Sequence, residues 1–230
     1  YRTGSSNSNI IPNKFGTFCN TGVNSTISSG DNNKISSNCS FIGGGTLNTA
    51  SAACSFIGGG TENVIKHQGG PLSNFASFIG SGRCNTISTY YGCNSIVGGC
   101  CNSISGYYCF QTIVGGNNNC ISKVGNGVIV AGQGNKLNPQ GPWSFNEFIG
   151  SGKFNEIKTQ DGDGNTIVNG CCNTISGYTT NTFIGGGCKN LVSGNVSSIV
   201  GGTLNTASSD CSFIGGGENN KTFSQACLSF

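Results

Sequence analysis

Fourteen cysteines and a single histidine are the residues in this 230-residue chain best able to do chemistry. Zinc sites favour cysteine pairs at short spacing with histidine support. Two pairs here, Cys100–Cys101 and Cys171–Cys172, are directly adjacent, the wrong spacing for closing on one metal. His67 stands in Ile65-Lys66-His67-Gln68-Gly69-Gly70-Pro71-Leu72 with no acid beside it, and reads as a solvated loop residue. Asp161-Gly162-Asp163-Gly164-Asn165 alternates oxygens that could hold Ca²⁺. It lacks the downstream bidentate glutamate, so a plain turn is favoured. Eight Asp and Glu are too few and too scattered to nominate a glycosidase pair. The Gly-Gly-Gly corners lack the lysine and the helix of a phosphate loop. No catalytic residue, metal or cofactor is assigned, and an enzyme is not expected.

What remains is cross-linking and recognition. Many cysteines in a Gly/Asn/Ser-rich chain point to an oxidising place outside the cytosol. A net charge of +3 with 8% charged residues leaves no electrostatic footprint for nucleic acid. Apolar residues never run long enough to insert in a membrane. The chain contains no Met, so Tyr1 is not a retained initiator and a processed product or segment is expected. Tyr90, Tyr91, Tyr107 and Tyr108 recur at matching positions, as does Tyr178, and the longest insertions add Phe75, Trp143 and Phe145. Such aromatics either stack for stability or offer ring faces to sugars. Glycosylation sequons stand at Asn24, Asn38 and Asn195; a fourth, at Asn220, falls on a repeat position expected to be inaccessible.

The elements that must position these residues are read from an internal repeat. Phrases such as SFIGGGTLNTAS recur, anchored on Ile27, Ile42, Ile57, Ile79, Ile96, Ile113, Ile129, Ile149, Ile167, Ile184, Ile199 and Ile214. Six residues after every anchor stands an asparagine: Asn33, Asn48, Asn63, Asn85, Asn102, Asn119, Asn135, Asn155, Asn173, Asn190, Asn205 and Asn220. Two residues later comes a second, mostly apolar position. Each unit is thus a short strand, a Gly-rich corner, a second short strand and a return turn. Strands this short bury no face alone, but stacked units do. The predicted fold is all-β, a β-solenoid or flattened β-roll of about 12 coils of 14–22 residues with parallel, in-register strands. At about 4.8 Å per rung it would form a rod of roughly 55–60 Å. Asparagine amides would bond coil to coil, and the corner glycines would adopt positive φ. Residues 1–24 read as an irregular coil or junction and 25–230 as the solenoid. Cys227-Leu228-Ser229-Phe230 resembles the start of another unit, so the solenoid is expected to continue.

All length variation falls in the return connection, so insertions should emerge along one edge. That edge is a binding surface, or simply tolerates insertion. Cysteines fall at equivalent positions of neighbouring coils, which pairs Cys39 with Cys54, Cys84 with Cys101 and Cys171 with Cys188. Cys93 with Cys109, and Cys211 with Cys227, match within one residue. A rung near 4.8 Å suits a disulfide; buried thiol ladders are the competing arrangement. Cys19, Cys100, Cys120 and Cys172 lack clear partners. Around the anchor, Phe precedes where Gly follows, and Ser or Thr usually precedes where Val follows. Either Ile fills the lumen and the Phe/Val face packs on another chain, or the faces are exchanged. Both favour self-association.

Ser40-Phe41-Ile42-Gly43 and Asn48-Thr49-Ala50-Ser51 resemble the head repeats of trimeric autotransporter adhesins, and similar repeats of phage and giant-virus fibre proteins. The resemblance spans about Ser25 to Phe230. It implies a surface-exposed, often trimeric rod that binds host matrix or glycans. Abundant Cys, and Phe where the family has a small residue, depart from that pattern. The expected role is a non-catalytic structural segment of an extracellular, cell-surface or virion-surface fibre that associates with itself. An adhesin-type module, recognising glycans or a host surface through the aromatic edge, is the alternative. Ice binding would need a regular Thr array, and Thr46, Thr61 and Thr203 are sporadic.

Overall fold

A computed structural model of the chain describes residues 19–69 and 76–223. These form two compact units, Tyr1–Gly115 and Gly116–Phe230, each built the same way. No helix occurs among the described residues. The anchor strands, such as Phe41–Ile42 and Phe183–Ile184, make one parallel sheet, called A here. The strands after the asparagines, such as Thr49–Ala50 and Leu191–Val192, make the facing sheet B. The protein is a β-solenoid of about twelve coils, six anchors in each unit.

Register is constant. In sheet A of the first unit, Ile27 pairs with Ile42, Ile42 with Ile57, and Ile57 with Ile79 across the longest coil. In the second unit, Ile149, Ile167, Ile184, Ile199 and Ile214 succeed one another. The anchors face inward: Ile27 through Ile199 are 0% exposed and Ile214 6%. The second apolar column, from Ile35 to Ala207, is buried beside them. Of the two arrangements, Ile therefore fills the lumen and Phe/Val face outward. Fully burying one Ile contributes roughly 1.5–3 kcal/mol, so two such columns supply the core that no single coil has.

The Phe/Gly compensation has two causes. A Cβ on the glycine two residues after each outward Phe would collide with the next coil's carbonyl, Gly58 O at Gly43 and Val200 O at Gly185, and would crowd the Phe ring folded over it, 3.3 Å from Phe41 Cε1 and 3.2 Å from Phe183 Cε1. Length variation does fall in the return connection. In several longer coils the B strand grows from two residues to four, as in Val64–His67, Thr86–Thr89 and Glu156–Thr159. The solenoid also starts before residue 25: Cys19–Asn20 pairs in parallel with Lys34–Ile35, placing Asn20 opposite Ile35. The Cys227–Phe230 segment lies outside the described residues.

Both corners require left-handed backbone. Five residues after each anchor φ is positive, as at Leu47 (59°), Cys84 (56°) and Leu204 (57°). Three before most anchors it is positive again, at Cys54 (55°), Asn181 (52°), Val196 (51°) and Cys211 (54°). A β-branched residue suffers most in this region. Val196 is half exposed, and its N–H bonds Thr180 O at 3.1 Å whatever the side chain. Val196→Asn, matching the neighbouring Asn181, is expected to raise stability by about 1 kcal/mol in chemical denaturation. No gain would show that the corner is unstrained.

Candidate functional site

Three places carry polar or reactive side chains: the two corner ladders, the cysteine corners and the insertion edge. At the first corner the asparagine ladder forms as the spacing predicts. Asn173 Oδ1 accepts the Asn190 N–H at 3.0 Å, while its Nδ2 donates to Asn169 O at 3.2 Å and Gly187 O at 3.0 Å. Its own N–H donates to Asn155 Oδ1 at 3.0 Å. Asn33, Asn48, Asn63, Asn135, Asn155, Asn190 and Asn205 repeat the pattern. The acceptor glycine must have no side chain. Gly187 has φ 85°, and a Cβ there would collide with Gly202 O and crowd the Asn190 amide. Asn220 bonds to Asn205 but is exposed rather than inaccessible, because no described rung covers it.

The opposite corner holds a second ladder, built on the residue two before each anchor. Ser25, Ser40, Ser55, Asn94, Gln111, Glu147, Asn165, Thr182 and Ser197 occupy it, all buried. Ser40 N–H donates to Ser25 Oγ at 3.1 Å, and Thr182 N–H to Asn165 Oδ1 at 3.1 Å. In the sequence this column looks like the first strand residue of S-F-I-G, and only the turn of the chain makes it a corner.

Glu147 is the exception within that ladder. Its carboxyl is 1% exposed, receives Asn165 Nδ2 at 3.1 Å and Thr159 Oγ1 at 3.3 Å on Oε1, and keeps Oε2 buried without a partner. Burial pushes its pKa up to about 7 against the pull of the Asn165 and Thr159 hydrogen bonds, and Asp163 adds to the rise. A carboxylic acid of raised pKa suits general-acid chemistry, but this one is sealed from any substrate. It acts on stability instead.

The suggested calcium run does not converge. Asp161 Oδ1 accepts the Trp143 N–H at 3.0 Å and Asp163 Oδ1 accepts Asn146 Nδ2 at 2.8 Å. Asn165 is buried and spends its amide on Glu147, Thr179 O and Thr182. Local capping of this kind is what the plain-turn reading requires. Among the described residues no cluster of three His, Cys, Asp or Glu could hold a metal ion.

On the insertion edge of the first unit, Tyr90 and Tyr107 stack with centroids 4.3 Å apart at 12°, and His67 meets Tyr90 edge-on at 6.4 Å. Stacking covers one face of each Tyr ring, and Tyr107 stays 56% exposed. Tyr91 projects into solvent, and Tyr108 is half-buried. In the second unit Tyr178 and Trp143 are exposed, at 73% and 66%. Phe75 lies outside the described residues. Of the sequons, Asn24 and Asn38 are exposed and Asn195 half-buried. Asn38 Oδ1 holds the Val23 N–H at 2.9 Å, and Asn195 Oδ1 holds the Thr180 N–H at 2.7 Å. The Thr column is short: Thr46 pairs with Thr61, but Arg83 and Cys100 follow.

The thirteen described cysteines are free thiols. Register brings three of the expected pairs onto one rung. Cys39 and Cys54 share the left-handed column, and burial, followed by the neighbouring Cys39 thiol, raises the Cys54 pKa. Cys84 lies under Cys101, two residues before the Thr86–Ser103 pair, and Cys171 pairs directly with Cys188. Cys93 sits opposite Phe110, so Cys109 stays one position off. The expected partner of Cys211, Cys227, lies outside the described residues. Cys19 lies opposite Lys34 and Cys120 opposite Lys136 on sheet B.

Constant register, two inward apolar columns and a polar ladder at each corner define a parallel, two-sheet β-solenoid repeat protein. No protein-family profile matches the chain, and no curated protein is similar to it.

Proposed function

We propose that this chain is a non-catalytic structural segment of an extracellular or virion-surface fibre, and that it associates with itself through the outward face of sheet A. The difference between the two outer faces carries this reading. Sheet B presents Lys34, Lys66, Lys136, Glu156, Lys158 and Lys221 among hydroxyls, with Val64, Leu191 and two cysteines between them. Sheet A presents no charge at all on its strand positions. In the first unit Phe41, Phe56 and Phe78 stack at 5.1 and 5.4 Å, and Val97 and Val114 continue the face half exposed. The second unit shows Val130, Phe148, Val168, Phe183, Val200 and Phe213. A contiguous apolar face of this kind is normally covered by a partner, and a second copy offers the same surface. Disulfides between in-register cysteines such as Cys39 and Cys54 would stiffen the coils in an oxidising location.

The test is the assembly state of the native chain by electron microscopy and sedimentation. Filaments or defined oligomers are expected. Val97→Lys and Val200→Lys should dissolve them while leaving monomer stability within about 0.5 kcal/mol, since both side chains are half exposed on the outward face. A native chain that stays monomeric up to high concentration would end the proposal. A glycan-binding role draws support from the exposure of Trp143 and Tyr178, and a glycan array with Trp143→Ala as control distinguishes it.

A further inference from the structure

The two vicinal cysteine pairs, unused in the fibre reading, occupy equivalent corners of the two units. Cys100 and Cys171 both lie four residues after an anchor, and Cys101 and Cys172 five after, in the left-handed position. Their sulfurs are close, 3.2 Å for Cys100–Cys101 and 3.4 Å for Cys171–Cys172. Each corner gains a third thiol from a neighbouring coil: Cys84 beneath Cys101, and Cys188 paired with Cys171. Each also places a cation directly opposite the first cysteine, with Arg83 paired to Cys100 and Lys153 to Cys171. The chain has only 11 Lys and Arg, so this coincidence is informative.

We propose that these two corners are thiol–disulfide exchange sites that react with small-molecule disulfides of the glutathione class. The thiolate facing the cation, Cys100 or Cys171, attacks one sulfur of the small disulfide and expels one small thiolate, leaving a mixed disulfide. A second corner thiolate then attacks the protein sulfur of that bond and expels the other small thiolate. Two cysteines have lost two protons and two electrons, and the small disulfide has become two thiols. The third cysteine remains within reach of the new bond and can displace it along the corner.

Geometry selects the end state. A vicinal disulfide must close over Cα atoms about 3.8 Å apart, below the usual window, whereas a rung of about 4.8 Å lies inside it. The bond therefore comes to rest as Cys84–Cys101 and Cys171–Cys188, with Cys100 and Cys172 left as thiols. The surroundings fit this order. Arg83 lies opposite Cys100, and that thiol is the first cause of the upward shift in the Arg83 pKa. Cys84 instead donates to Glu62 Oε2 at 3.0 Å and has its pKa pushed up to about 11, so it enters last. The inference rests on the solenoid register alone and not on the fibre reading.

The reduced full chain is incubated with glutathione disulfide, quenched with iodoacetamide and cleaved with chymotrypsin. Cleavage at Tyr90 and Tyr91 parts Cys84 from Cys101, and cleavage at Tyr178 parts Cys171 from Cys188. Mass spectrometry is expected to show the two rung-linked peptides with Cys100 and Cys172 alkylated. Cys100→Ser should slow formation of the Cys84–Cys101 link at least fivefold without changing its identity or the rate at the other corner. Arg83→Gln should slow it about threefold, with an unchanged circular dichroism spectrum as control of folding. Full alkylation of the corner cysteines after oxidation, or an unaltered rate in Cys100→Ser, would overturn the proposal.

Discussion

Asn173→Ala is expected to destabilise the protein by roughly 2–6 kcal/mol in chemical denaturation. The alanine leaves the Asn190 N–H and the Asn169 carbonyl without the partners they have at 3.0 and 3.2 Å, and takes one of two donors from the Gly187 carbonyl, which keeps the Cys171 N–H at 2.9 Å. Each buried polar group left unpaired costs about 1–3 kcal/mol, and two such groups set the size of the loss. Asn173→Asp keeps the acceptor for Asn190 but loses both donors and turns an anion toward two carbonyls, so it should be no better. Thr174→Ala, one residue on and facing outward, serves as the control and should stay within about 0.5 kcal/mol. A loss below 1 kcal/mol for Asn173→Ala would mean that the ladder decorates the corner rather than holding it.

Glu147 makes stability fall as pH rises through a defined window. Its folded pKa, about 7, lies above the ordinary 4.5 because burial penalises the charged form. Below 4.5 both folded and unfolded chains hold the proton and the stability is complete. Between 4.5 and 7 the unfolded chain releases it first, so stability drops, by about 3 kcal/mol in all, and levels off above 7. Glu147→Gln should abolish the slope and be the more stable protein at pH 8. Gln111 shows that this column accepts a glutamine. Denaturation midpoints of the two proteins at pH 4.5, 6 and 8 check this, and parallel curves would refute it.

The first of these predictions was visible in the residues before any coordinates, and the second was not. Twelve asparagines at one offset from twelve isoleucines admit few structures besides stacked coils, and the bonds from Asn48 to Asn33 and from Asn63 to Asn48 are those the spacing requires. Glu147 gave no such sign. In the sequence it is one acid before a Phe-Ile pair, occupying a slot that elsewhere reads as an ordinary Ser of S-F-I-G. Its burial becomes evident only when the chain turns there. Positive φ was expected of the corner glycines, but the left-handed residues of other types hid for a related reason: Leu47, Val196 and Phe154 are residues that avoid positive φ, so local preference pointed away from what the stack imposes.

Repetition itself determined the fold class, the register and the pairing of equivalent positions, because identical coils can stack only with like above like. The tertiary structure alone decided orientation. A two-residue strand has no preference strong enough to say which face of Phe41–Ile42 turns inward. That choice follows from packing two Ile columns against each other, which leaves the Phe rings over Gly43 and Gly58 and open to solvent. It likewise decided which cysteines meet, since a single residue of offset separates the aligned Cys171 and Cys188 from the misaligned Cys93 and Cys109.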